Sequence, residues 1–138
     1  MANSWKERTK TMESSYSIQP AERLVRMQVW GELTVDGLIG LIDRVGADEQ
    51  YQSSMHAIAD FRQSFGNWDY TEIQRYRDYL ARIAGHRDCR WAALVKPGTL
   101  QAVGHVLIVI SDAIRGSIEM RLFEDPQVAL RWVKGELD

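Results

Sequence analysis

The chemistry-bearing residues of this sequence are few, and the densest group is His86-Arg87-Asp88-Cys89. It sets an imidazole and a thiol three residues apart, the spacing of a partial zinc site. Zinc needs three or four such ligands, and the other histidines, His56 and His105, fall in different elements. No metal and no cofactor is therefore expected. Arg87 and Arg90 flank Cys89, and nearby cations lower a thiol pKa. A catalytic thiol also needs a positioned base, and His86 offers only closeness in sequence. No P-loop, G-x-G-x-x-G or G-x-S-x-G pattern occurs. With no nucleophile, base and orienting group converging, catalysis is not expected.

A second polar group follows the third expected strand. Asp60, Arg62, Ser64, Asn67, Trp68 and Asp69 fall within or beside a loop expected over Phe61 to Trp68. In sheets with parallel strands, ligands favour the carboxyl edge, where this loop should lie. The alternative is a loop held by its own hydrogen bonds, with Asp60 accepting from backbone N–H groups or pairing with an arginine.

A third group is apolar. Val103, Val106, Leu107 and Ile110 belong to a helix expected over Leu100 to Ile114, although His105 to Ile110 has strand propensity. Residues 106–110 are all apolar and sweep more than a turn at ~100° per residue, so they cannot all face one sheet. Three readings stay open for them. They pack on neighbouring helices, form a homodimer interface, or wall a pocket for a small apolar ligand bordered by Trp30 or Trp68. His105, on this segment, reads as bonded to backbone or buried at an interface rather than catalytic.

The elements that position these groups are legible from periodicity and caps. Tyr16 to Gln19 and Leu24 to Trp30 read as strands, the second alternating Val25, Met27 and Val29 against Arg26 and Gln28. Only Pro20 to Arg23 separates them, so they pair antiparallel. Thr34 opens a helix carrying Val35, Leu38, Ile39, Ile42 and Val45, with Gly46 as its expected C-cap. Gly37 and Gly40 weaken this helix but permit close packing. Met55 to Asp60 reads as a buried central strand. Asp69 and Glu72 form an Asp-type capping box before the stripe Ile73, Tyr76, Leu80, Ile83 and Ala84, which Gly85 closes. Arg90 to Val95 and Ile118 to Phe123 are strands. Asp125-Pro126 opens a last helix with the stripe Val128, Ala129, Trp132 and Val133.

The order β-β-α-β-α-β-α-β-α describes an α/β domain (α+β in some schemes), a mixed five-stranded sheet with four helices. The strands reached through helices run parallel with right-handed crossovers. The 138 residues fit one domain, 15–138, after a polar tail at 1–14. Seventeen basic against nineteen acidic residues give a net charge of −2, which argues against nucleic-acid binding. One cysteine fits a reducing compartment. The longest apolar run, Val106 to Ile110, is far short of the ~18 residues of a membrane span, so the expectation is a cytoplasmic protein, not an integral membrane one.

These elements resemble the SpoIIAA-like proteins, which share the fold of the STAS domain. The resemblance rests on Leu24-Val25, on Gly31-Glu32-Leu33-Thr34, and on Ala59-Asp60-Phe61-Arg62. It rests also on the ending from Leu122-Phe123-Glu124-Asp125-Pro126 to Trp132-Val133, and it covers residues 16–137. It implies a non-enzymatic regulatory or protein-interaction module of bacterial type, a homodimer or the partner of a regulatory protein. Anti-sigma-factor antagonists of this kind are switched by phosphorylation at the start of the second helix. Trp68-Asp69-Tyr70-Thr71-Glu72 matches that stretch, with Thr71 at the hydroxyl position, although Tyr70 and Glu72 depart from the pattern. The gross topology is also similar to the CRAL-TRIO lipid-transfer domain. That implies the alternative function, a carrier or sensor of a small lipid-like ligand beside the Leu100–Ile114 helix.

Overall fold

The computed structural model describes residues 12–52, 54–66, 68–83, 89–98 and 118–138. Strands β1 (Glu13–Gln19), β2 (Leu24–Glu32), β3 (His56–Phe65), β4 (Cys89–Leu94) and β5 (Ile118–Phe123) form one sheet in the order β1-β2-β3-β4-β5. β1 pairs antiparallel with β2 across the one-turn 3-10 helix Pro20–Glu22, and the other pairings are parallel. The described helices are α1 (Val35–Ala47), α2 (Tyr70–Arg82) and α3 (Pro126–Val133). The fourth helix expected, Leu100 to Ile114, lies outside the described residues, as do Gly85, His86 and His105.

The sheet divides the core in two. Val25, Met27, Val29 and Ala57 meet α1 and α2 through Leu38, Leu41, Val45, Tyr76 and Leu80. On the other face Leu24, Ile58, Ala92 and Leu94 meet α3 through Ala129, Trp132 and Val133. Both faces of β3 are thus covered near its start, as the apolar run of the central strand requires, whereas β2 leaves Arg26 exposed on the α3 side. Trp132 is fully buried, between Phe123 at 5.4 Å and the guanidinium carbons of Arg90 at 5.1 Å and Arg121 at 4.8 Å. Val128, expected in the same stripe, is exposed. α3 is short, and the sheet takes up only its Ala129, Trp132 and Val133 side.

The caps work as their residue types demand. Thr34 accepts from the Gly37 N–H, Asp69 from Glu72 and Asp125 from Gln127. Glu72 reciprocates by accepting from the Asp69 N–H, which completes the capping box. Gly46 is not a cap: α1 runs through it to Ala47 and ends at Asp48 in an extended conformation. In α2, Tyr79 joins Tyr76 and Leu80 in the core, a position the expected stripe left out.

β1 begins at Glu13, three residues before the expected strand start. The larger correction concerns β3. The expected loop from Phe61 is strand as far as Phe65. The register with β2 passes from Gln28↔Asp60 to Trp30↔Gln63, so Phe61 and Arg62 stand opposite Val29. This β-bulge resets the alternation of side chains. A period-of-two reading therefore stops at Asp60, although the ladder continues.

Candidate functional site

At the carboxyl edge of the sheet, β3 turns into α2. Leu33, just past β2, donates its N–H to the Phe65 carbonyl at 2.8 Å and accepts from Trp68 Nε1 at 3.1 Å. Gly66, with a φ of +150°, lets the chain pass Leu33 closely; a Cβ there would lie 3.2 Å from the Leu33 oxygen. Trp68 packs edge-on to Tyr76 at 5.5 Å. The turn is thus braced by backbone and core, and α2 begins at a fixed place. Arg75 of α2 pairs with Asp36 in the first turn of α1, tying the two helix starts together.

The residues nominated from sequence do not form one loop site. Asp60 lies in β3 as expected, and Arg62 and Ser64 lie there too, because the ladder continues past the bulge beyond the expected strand end. Arg62 closes on Asp60, donating from Nε to Oδ1 at 3.0 Å and from Nη2 to Oδ2 at 2.8 Å. The Arg62 N–H also donates to Asp60 Oδ1 at 3.0 Å. This is the self-contained pairing given above as the alternative. The Arg62 side chain, through its hydrogen bonds, holds the Asp60 carboxyl below the usual carboxylate range against the opposing effect of burial. Ser64 is buried, and its hydroxyl donates to the Val29 carbonyl at 2.9 Å, which leaves it a structural role at the bulge.

Trp68, expected at a ligand or partner surface, is buried with its N–H satisfied. Trp30 is half-buried in β2. Asp69 is exposed and committed to the capping box. Thr71 is exposed in the first turn of α2. Asn67 lies outside the described residues. The apolar patch Val103, Val106, Leu107 and Ile110 lies outside them too.

Two surface residues escaped the sequence reading. Phe65, the last residue of β3, is 42% exposed, and Tyr70, the first of α2, is 73% exposed. They stand on either side of the braced turn. The available signal was that an aromatic on each side of a polar turn has no periodic stripe to join. Glu32, paired in register with Phe65, is exposed and acidic, as is Asp69.

Elsewhere, Cys89 is buried at the start of β4, and the described residues contain no group of three or more His, Cys, Asp or Glu able to hold a metal. His56 Nδ1 accepts from the Arg90 N–H at 2.9 Å. That bond uses the ring as a neutral acceptor. Burial first, then Arg23 and Arg90, push its pKa below the usual value. No described helix is long and apolar enough to cross a membrane.

Comparison with known proteins adds the fold. A scan against protein-family models and a search of curated proteins find no match. Among solved structures, the chain is similar to an uncharacterised protein of the DUF3478 family with a SpoIIAA-like fold from Shewanella loihica PV-4. The TM-score is 0.57 and the identity 16%, over 89% of this chain and 95% of that one. The chain has a SpoIIAA-like fold, as the motifs quoted from its sequence suggest.

Proposed function

We propose that this chain is a non-enzymatic regulatory module of the SpoIIAA/STAS type, acting in the cytoplasm by association with another protein. The association surface is the carboxyl edge of the sheet where β3 passes into α2. The observation that carries this reading is the exposure of Phe65 and Tyr70 on either side of a turn pinned by Leu33, Gly66 and Trp68. Large aromatics supply contact area at little entropic cost, and a rigid base keeps them in place before the partner arrives. Exposed Glu32 and Asp69 give the rim a negative charge, which suits a partner with a basic margin. The same acids repel a second copy, so a different regulatory protein suits this edge better than a homodimer.

Phosphorylation is not required. Thr71 occupies the position that the resemblance gives to the phosphoacceptor, but Asp69 and Glu72 stand within the same helical turn. A phosphate there meets two carboxylates already engaged in the cap. Thr71→Ala is expected to leave association unchanged.

The test is co-purification from native extract, followed by calorimetry with the isolated partner. The double change Phe65→Ser with Tyr70→Ser should weaken binding at least about tenfold, in line with the loss of interface aromatics, and leave the circular dichroism spectrum intact. Equal affinity of the two forms would remove this edge from consideration. Light scattering of the isolated chain tests the homodimer; a dimer insensitive to the double change would place its interface elsewhere.

A further inference from the structure

The opposite edge of the sheet carries a separate feature. The helices run antiparallel to β2, β3 and β4, so the first residues of these strands meet the last turns of α1 and α2. A cavity of about 380 Å³ lies where they meet. Small-molecule pockets span roughly 300–1,000 Å³, whereas the voids of a packed interior seldom exceed one water. Its walls are sheet on one side, with Met27, Ala57 and Trp91, and helix and connection on the other, with Tyr51, Met55 and Tyr79. Methionines adapt their shape and favour contact with aromatic faces. Such a lining suits a small aromatic body better than a rigid polar one.

The rim adds charge. Among the described lining residues Asp43 alone is charged, and it is exposed on α1. The Tyr79 hydroxyl donates to its Oδ1 at 2.7 Å, which fixes the carboxylate at the mouth. Oδ2 is left without a described partner. A carboxylate so oriented attracts a cationic donor and repels an anion.

We propose that this cavity binds a small arylalkyl amine, its ring among Met27, Met55 and Trp91 and its ammonium on Asp43. The site is independent of the Phe65 and Tyr70 edge, and either can fail without the other. Neither Trp30 nor Trp68, the residues expected to border a lipid-like ligand, is among its described lining residues, and an amine differs in head group from a fatty acid.

A matched series decides the matter on the full chain: 2-phenylethylamine, 2-phenylethanol and 3-phenylpropanoate, read by calorimetry and by methionine-methyl NMR. The amine should shift the Met27 and Met55 methyls and leave Met12, which packs at the start of α1, unmoved. It should bind more tightly than the alcohol, and the carboxylate should bind least. Asp43→Asn should remove roughly tenfold or more of the amine's affinity, the effect of a lost charge-assisted hydrogen bond, and should bring amine and carboxylate together. Ala57→Leu, which fills the cavity, should abolish binding of all three. If that variant does not fold, the Asp43 variant still decides. Absence of Met27 and Met55 shifts at millimolar amine overturns the proposal. Equal binding of the carboxylate overturns it as well, and so does a preference that Asp43→Asn leaves untouched.

Discussion

Arg62 reaches back two residues along its own strand to grip Asp60 with two parallel hydrogen bonds, at 3.0 and 2.8 Å, beside the β3 bulge. The two side chains satisfy each other and hold the distorted backbone, because the Arg62 N–H freed by the bulge also finds Asp60. The pairing lowers the Asp60 pKa from its ordinary value of 3.8. Its folded-state pKa therefore lies below the unfolded one. The stabilisation is complete above that ordinary value and is lost as pH falls through the folded pKa. Asp60→Asn should lower stability by on the order of 1 kcal/mol at pH 7, the scale of a partly exposed bidentate pair. The deficit should shrink toward zero in urea titrations repeated near pH 3 and below. A deficit independent of pH would show that the carboxylate charge is not what holds Arg62.

His56 gives the second pH dependence. Its pKa is lowered from 6.5, first by burial and then by Arg23 and Arg90, and its Nδ1 must stay unprotonated to accept from the Arg90 N–H. The unfolded chain takes up this proton near its ordinary pKa and the folded chain only at lower pH. The contribution of His56 is complete above 6.5 and declines as pH falls through the folded pKa. His56→Asn keeps an acceptor near the Nδ1 position and removes the titration. Chemical denaturation between pH 7.5 and 5 should show a shallower loss of stability in the variant than in the wild type. Parallel curves would assign the dependence to other groups.

What the sequence disclosed was local. Asp69 with Glu72, Asp125 with Pro126, and Thr34 act within one turn of their own helices, so their spacing was enough to place three helix starts. The strand directions follow from connection lengths, and the SpoIIAA-like fold from the element order together with the resemblance of the quoted motifs. The end of β3 is hidden because a bulge breaks the alternation on which strand reading depends, so Arg62 and Ser64 read as loop although the ladder continues through them. Trp68 looked like a surface residue because its satisfying acceptor, the Leu33 carbonyl, is 35 residues away. The Met27, Met55 and Trp91 cavity joins three strands and two helix ends, and no spacing within one element announces it.

Gly37 and Gly40, two of the three glycines of α1, make a paired prediction. A Cβ at Gly37 would collide with Met12 Sδ and with Thr34 Oγ1, the cap itself, whereas a Cβ at Gly40 meets nothing within 4 Å. Gly40→Ala should stabilise the protein by about 0.5–1 kcal/mol, the intrinsic helix preference of alanine. Gly37→Ala gains the same preference but must displace Met12 or break the cap, and it should come out destabilising. Thermal melts of both variants check this. Equal stabilisation by both would mean that Met12 yields without cost.

Trp132 closes the α3 face, and its buried Nε1 has no hydrogen-bond partner among the described residues. Its ring is held by Phe123, Arg90 and Arg121, and Arg90 also donates to the Trp132 and Leu137 carbonyls at 2.7 and 3.0 Å. Two effects oppose each other in Trp132→Phe. Ring volume and some cation–π attraction are lost, while a buried unsatisfied donor, a penalty of about 1–3 kcal/mol, is removed. The net change should be small, within about 1.5 kcal/mol of the wild type. Trp132→Ala removes the ring outright and should destabilise by about 3–5 kcal/mol. Urea denaturation of the pair measures the difference. If Trp132→Phe is as damaging as Trp132→Ala, the indole N–H is satisfied in solution, and the stability of this face depends on that bond rather than on the ring.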